Sequence, residues 1–140
     1  MAVVFPTAEW VAEFKKQIDE KPDYKEGGKG WREGVIVLII NAKPQVGIDA
    51  DFNIYLDLHE GQCREARVCS DEEVGDHPFV IRGEYDRWKL VVLDQLEPVK
   101  AMMQGKLKLT GDLPTIVRNI DGAKTLVKCA TYVETVFIDE

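Results

Sequence analysis

Three features of the chain predict an α+β fold. Apolar residues recur at helical spacing near its start and again after residue 84. Between these stretches lie β-branched and alternating runs of strand length. The 140 residues are the usual size of one domain with one core, so a single domain over residues 1–140 is expected.

The first helix is expected to begin at Pro6-Thr7, with Thr7 as its cap and Glu9 in the first turn, where the helix dipole favours an acid. Trp10, Val11, Phe14 and Ile18 form its apolar stripe, and Pro22 marks its end. Asp23 to Gly30, with Gly27, Gly28 and Gly30, is read as a mobile connector. Val35 to Ile40 is a β-branched run short enough to be a strand buried on both faces. Phe52, Ile54, Leu56 and Leu58 alternate with polar neighbours as in a half-buried strand. His59-Glu60-Gly61-Gln62 supplies a turn, and Cys63 to Ser70 returns. The acidic stretch Asp71 to Asp76 is read as a loop, and Phe79-Val80-Ile81 as a fourth strand ended by Gly83.

Helices return from Glu84. Tyr85, Trp88, Val91, Val92 and Leu96 fit one helix, and Pro98 opens a shorter one with Val99, Met102 and Met103. Lys106 to Thr110 alternates as a fifth strand. Asp112 is a good N-cap, with Pro114 tolerated in the first turn. Helical spacing then runs from Leu113 to Val133, with Asp121-Gly122 as the expected break.

The formal net charge of −7 argues against nucleic acid as a partner, since phosphate binding needs clustered bases. The start, Met1 to Pro6, is too short and uncharged for a signal peptide, and no apolar run approaches the roughly 20 residues of a spanning helix. Three cysteines, Cys63, Cys69 and Cys129, cannot all pair within the chain, which suggests a reducing, cytoplasmic setting. Cys63 and Cys69 are an even number apart on one strand and are expected to share a face as small core residues. His59 and His77 are the only histidines. An acidic run before His77 is more simply a solvated loop than a metal site. Gly27-Gly28-Lys29-Gly30 precedes a strand and lacks the pattern of a phosphate loop. No nucleophile motif is present, so neither catalysis, metal nor cofactor is expected.

Two features remain. One is the amount of apolar helical surface after residue 84, which suits an ordinary core and also an adaptable binding surface. The other is charge asymmetry. Between Asp49 and Asp86 the only cations are Arg64, Arg67 and Arg82. Between Pro98 and Ala130, Lys100, Lys106, Lys108, Arg118, Lys124 and Lys128 face only Asp112 and Asp121. A basic end beside an apolar stripe suits a ligand with an anionic head, transient contact with an anionic membrane, or plain solubility.

The segment Gly105-Lys106-Leu107-Lys108-Leu109-Thr110-Gly111-Asp112 resembles the late strand of the sterol carrier protein 2 family, which reads G-K-L-x-[IVL]-x-G-D and precedes a helix. Here Gly105 lets the preceding helix stop, Leu107 and Leu109 face the core, Gly111 turns the chain and Asp112 caps the next helix. Trp31, Gly34, the Ile54 to Leu58 strand with its Gly61 turn, and Phe79 to Gly83 followed by Trp88 are similar to other parts of the family. The likeness runs from about Phe5 to Val136.

The resemblance implies a five-stranded, mostly antiparallel sheet covered by helices, with an apolar tunnel between them for sterols, fatty acids or fatty acyl-CoA. It implies non-catalytic binding and transfer of an apolar lipid. The chain lacks the C-terminal peroxisomal address and is acidic, so neither peroxisomal delivery nor strong membrane binding carries over. Helical spacing combined with the family's layout places Trp88, Val92, Met102, Met103, Leu107, Leu109, Ile116, Val117, Ile120, Leu126 and Ala130 around the tunnel. Lys106, Lys108, Arg118 and Lys124 are head-group candidates. The same fold with a closed cavity would instead serve as an interaction module. The oligomeric state is left open.

Overall fold

The computed structural model describes residues 2–75 and 77–140. Its elements run β1 (Val3–Phe5), α1 (Ala8–Glu20), α2 (Asp23–Gly27), β2 (Gly34–Ile40), β3 (Phe52–His59), β4 (Gln62–Val68), α3 (Asp71–Val74), β5 (Phe79–Gly83), α4 (Tyr85–Val92), α5 (Pro98–Met103), β6 (Lys108–Thr110), α6 (Leu113–Arg118), α7 (Ile120–Thr131) and β7 (Thr135–Phe137). The fold is α+β. The main sheet has five strands in the order β4-β3-β2-β5-β6. Only β2 and β5 pair in parallel, and the other three pairs are antiparallel. A second sheet, β1 parallel to β7, ties the two ends of the chain together.

Sequence chemistry explains the joints. Thr7 caps α1, its hydroxyl accepting from the Trp10 N–H at 3.1 Å. The β3–β4 turn puts Glu60 and Gly61 at φ 48° and 84°, the left-handed pair of a tight hairpin. At the end of α5, Gly105 adopts φ 75°, with its N–H donating to Met102 O and the Lys106 N–H to Ala101 O. This is the Schellman arrangement that stops a helix. It also takes Lys106 and Leu107 out of the expected strand, which starts at Lys108. Asp112 caps α6, accepting from the Thr115 N–H at 3.3 Å.

β2 is buried on both faces as expected. Ile36 and Ile40 join the large core under the helices, while Val37 and Ile39 join a small cluster with Cys69 on the other side. The expectation that Cys63 and Cys69 share a face is corrected. Opposite Asp57 and Leu58, β4 presents Glu65 and Cys63, so Arg64 is an extra residue that shifts the alternation. Cys63 therefore points into the large core and Cys69 away from it.

Other boundaries differ for local reasons. Asp23 to Gly27 is helix, and Tyr24 within it is buried. Asp71–Val74 is also a short helix. Ser70 and Glu73 form a reciprocal capping box at its start. Asp76, the last acid of the segment read as a loop, lies outside the described residues, as does Met1. The helix carrying Trp88 stops at Val92, with Asp94 at φ 58° turning the chain toward α5. The long C-terminal stretch breaks at Asn119 rather than at Asp121-Gly122, and it ends at Thr131, so Val133 lies beyond the helix.

Candidate functional site

The alternation of β2, β3 and β5 turns Ile36, Leu38 and Ile40, Ile54, Leu56 and Leu58, and Ile81 toward the helices. These residues form the floor of an interior cavity of about 120 Å³. Trp10 and Phe14 of α1 close one side, with Phe5 beside them. Tyr24 and Trp31, from α2 and the loop after it, form another wall. α4 contributes Trp88, Val91 and Val92, and α7 contributes Gly122, Ala123, Leu126, Val127 and Ala130. Pro98 and Met102 of α5 and Ile116 of α6 complete the lining.

The walls offer little polarity. The indole N–H of Trp10 donates to Thr135 Oγ1 at 2.9 Å, that of Trp31 to Gly34 O at 2.8 Å, and that of Trp88 to Ile39 O at 2.9 Å. All three donors are satisfied within the protein, so the rings present only hydrocarbon to the space. Asn119 spends its amide N–H on Thr115 O at 2.8 Å. No charged side chain lines the cavity among the described residues. Such a space excludes water and favours an apolar occupant.

Of the residues expected around a tunnel, Trp88, Val92, Met102, Ile116, Leu126 and Ala130 come together at the cavity. Leu107 is buried elsewhere, packed where a side chain on Gly83 would stand: a Cβ there would lie 2.4 Å from Leu107 Cδ2. Leu109 and Ile120 pack at the edge of the core without reaching the space. Met103 and Val117 turn outward, 65% and 41% exposed. α5 and α6 have six residues each, so a small rotation moves a neighbour from wall to surface. Lys106, Lys108, Arg118 and Lys124 are all exposed and line no part of the cavity. Arg118 donates to Thr115 Oγ1 at 3.1 Å.

Sequence reasoning missed the N-terminal wall of Phe5, Trp10, Phe14, Tyr24 and Trp31, and it missed the floor. The signal was present: the stripe of α1 and the alternation of β3 point large apolar groups to one side, and a cavity roof needs a floor. The acidic residues and His77 form no metal-binding group among the described residues. Cys63 and Cys129 are buried free thiols whose pKa values burial pushes up to about 11, so they stay protonated and unreactive at neutral pH. No helix among the described residues is long and apolar enough to cross a membrane.

Comparison with known proteins agrees with this fold. A crystal structure of sterol carrier protein 2 is 29% identical, covers 91% of this chain and 97% of its own, and superposes with a TM-score of 0.82. A conserved hypothetical protein from Thermus thermophilus, 28% identical over 93% of this chain and 90% of its own, gives the same TM-score of 0.82. A sterol carrier protein 2 from Aedes aegypti, solved in complex with palmitate, shares the fold at 18% identity, 84% and 93% coverage and a TM-score of 0.51. Comparison with curated proteins gives no match. The model of the SCP-2 sterol transfer family matches residues 11–120, and with that match over most of its length the chain belongs to this family.

Proposed function

We propose that residues 1–140 act as one lipid-binding domain that holds an apolar lipid in the cavity and transfers it unchanged, without catalysis. The ligand class is a fatty acid, fatty acyl-CoA, isoprenoid or sterol-like molecule. One observation carries this reading: an unfilled, apolar space in a core that would otherwise be close-packed. Each methylene moved from water into it is worth about 0.8 kcal/mol.

The space as it stands is a little smaller than an engineered cavity of about 150 Å³ that admits benzene, so a long chain requires side chains to yield. Met102 is suited to that, being unbranched and flexible. A groove of about 230 Å³ shares Val92 and Ala130 as walls and reaches Leu93, Val133 and Phe137. An elongated ligand would extend from the first space toward the second past Val92 and Ala130.

The exposed bases Lys106, Lys108, Arg118 and Lys124, and the exposed apolar side chains Met103 and Val117, suit transient contact with an anionic membrane. Three unpaired, buried cysteines support a cytoplasmic setting.

Native mass spectrometry of the purified protein, with solvent extraction of what it carries, tests the reading. A bound fatty acid, acyl-CoA or isoprenoid is the expected result. A clean protein that also ignores added fatty acids would point to the closed interaction module. Ile116→Glu puts an ionised carboxylate into the cavity wall and is expected to abolish binding of a fluorescent fatty acid. Normal binding by the folded variant would refute the placement of the ligand against α6.

A further inference from the structure

Tyr24 sits where the sequence suggested only a connector. Its side chain is buried, 1% exposed, and lines the cavity. The hydroxyl end of the ring lies over Gly28. A Cβ on Gly28 would stand 2.4 Å from Tyr24 Cζ and 2.5 Å from Cε1, so no larger residue fits there. Gly122 faces the same ring end, its Cβ position 3.8 Å from Cε1. Both glycines also line the cavity, so two side-chain-free positions flank the phenol tip. The three lining indole N–H groups are committed within the protein, and the Asn119 amide gives one of its N–H groups to Thr115 O. The Tyr24 hydroxyl has no hydrogen-bond partner among the described residues. Asn53 Oδ1 is the one fully enclosed side-chain oxygen or nitrogen without a partner among the described residues, so the Tyr24 oxygen keeps access to a space, and a ligand that supplies an acceptor there takes up its free O–H. Burial also raises its pKa, which keeps the proton on the oxygen and leaves it a donor.

The charge of the cavity decides what that acceptor is. No base lines the space, so an ionised carboxylate or phosphate drawn inside would be desolvated without a counter-ion. An uncharged oxygen carries no such penalty.

We propose that the cavity takes an uncharged lipid polar end first, with a hydroxyl or carbonyl oxygen accepting from the Tyr24 hydroxyl. The proposal rests on the carrier reading and narrows its ligand class.

Tyr24→Phe tests it, because the change removes one oxygen that makes no bond within the protein and leaves the packing intact. Binding of hexadecanol, palmitate and hexadecane is measured by displacement of a fluorescent apolar probe, on wild type and variant. Wild type is expected to hold hexadecanol more tightly than ionised palmitate. The variant is expected to lose about threefold to tenfold for hexadecanol and nothing for hexadecane, the scale of one neutral hydrogen bond. Its thermal midpoint stays at or above that of wild type. Lowering the pH until palmitate is protonated is expected to strengthen palmitate binding in wild type and less so in the variant. Equal hexadecanol affinity in the two proteins would overturn the proposal, as would an equal loss for all three ligands. Wild type that binds none of them would instead remove the carrier reading, and the proposal with it.

Discussion

On the helix side of the sheet, Ile36, Ile40, Leu56 and Ile81 face an open space bounded by aromatic rings. On the opposite side, Val37 and Ile39 of the same central strand are 0% and 1% exposed and pack directly onto Cys69, with Val35, Tyr55, Val74 and Val80 around them. Charged groups brace that outer side. The Arg67 guanidinium lies 4.2 Å from the centre of the Tyr55 ring and donates to Glu73 at 2.8 Å, while Asn53 donates to Asp71 at 2.7 Å. One strand thus serves two surfaces with opposite needs. The closed side fixes register and holds the sheet together. The open side gives up dispersion contacts, because atoms lining a void lack partners there, and keeps room for an occupant.

Trp88 tests the open side most severely. Its ring forms cavity wall, and its indole N–H reaches Ile39 O at the sheet. Trp88→Ala removes both packing and donor, and the expected cost is about 3–5 kcal/mol of stability, read from denaturant midpoints. A cost below that of an ordinary core truncation would mean that the helix roof is loosely seated and contributes little to the fold.

The two sides also differed in how far the sequence revealed them. Val35 to Ile40 announced a doubly buried strand because six apolar residues in a row leave no polar face. The cap at Thr7, the helix stop at Gly105 and the N-cap at Asp112 were readable because each is settled by a few neighbouring residues. Six of the eleven expected tunnel residues line the cavity, chiefly those on α4 and α7, whose longer stripes fix helix rotation. Met103 and Val117 did not, since six-residue helices leave rotation to tertiary packing. The pairing of β1 with β7 joins Val3 to Thr135, and nothing local signals a partner so distant in the chain. The face of Cys69 depended on the bulge at Arg64, which alternation alone cannot show. The capping box of Ser70 and Glu73 did have a local signature, Ser-Asp-Glu-Glu, concealed by the acidity of the segment.

A matched pair of enlargements sharpens the contrast. Ala123 on α7 faces the cavity, so Ala123→Leu fills empty space and is expected to stabilise the fold by about 0.5–2 kcal/mol while weakening lipid binding. Cys69 is enclosed by Val37 and Ile39, so Cys69→Leu overfills its surroundings and is expected to cost about 1–3 kcal/mol. Thermal unfolding of the two variants beside wild type measures both. If both enlargements destabilised equally, the cavity would be no more forgiving than the closed side, and the division of labour between the faces would fail.

The smallest effect concerns the charged brace on the outer side. Glu73 accepts from Arg67 and from the Ser70 N–H, and these contacts pull its carboxyl from the ordinary 4.5 down to about 2. A depressed carboxyl favours the folded state above the unfolded pKa, and that contribution fades as the pH falls from about 4.5 toward about 2. Glu73→Gln keeps an oxygen acceptor for the Ser70 N–H and removes only the charge. At neutral pH the variant is expected to be slightly less stable than wild type, by an amount reduced because both partners are exposed to solvent. The gap between their denaturant midpoints narrows as the pH is lowered below about 4.5 and closes near 2. No gap at any pH would show that Glu73 acts through helix capping alone, which Gln preserves. The outer face would then be held by its apolar cluster without help from the Arg67 ion pair.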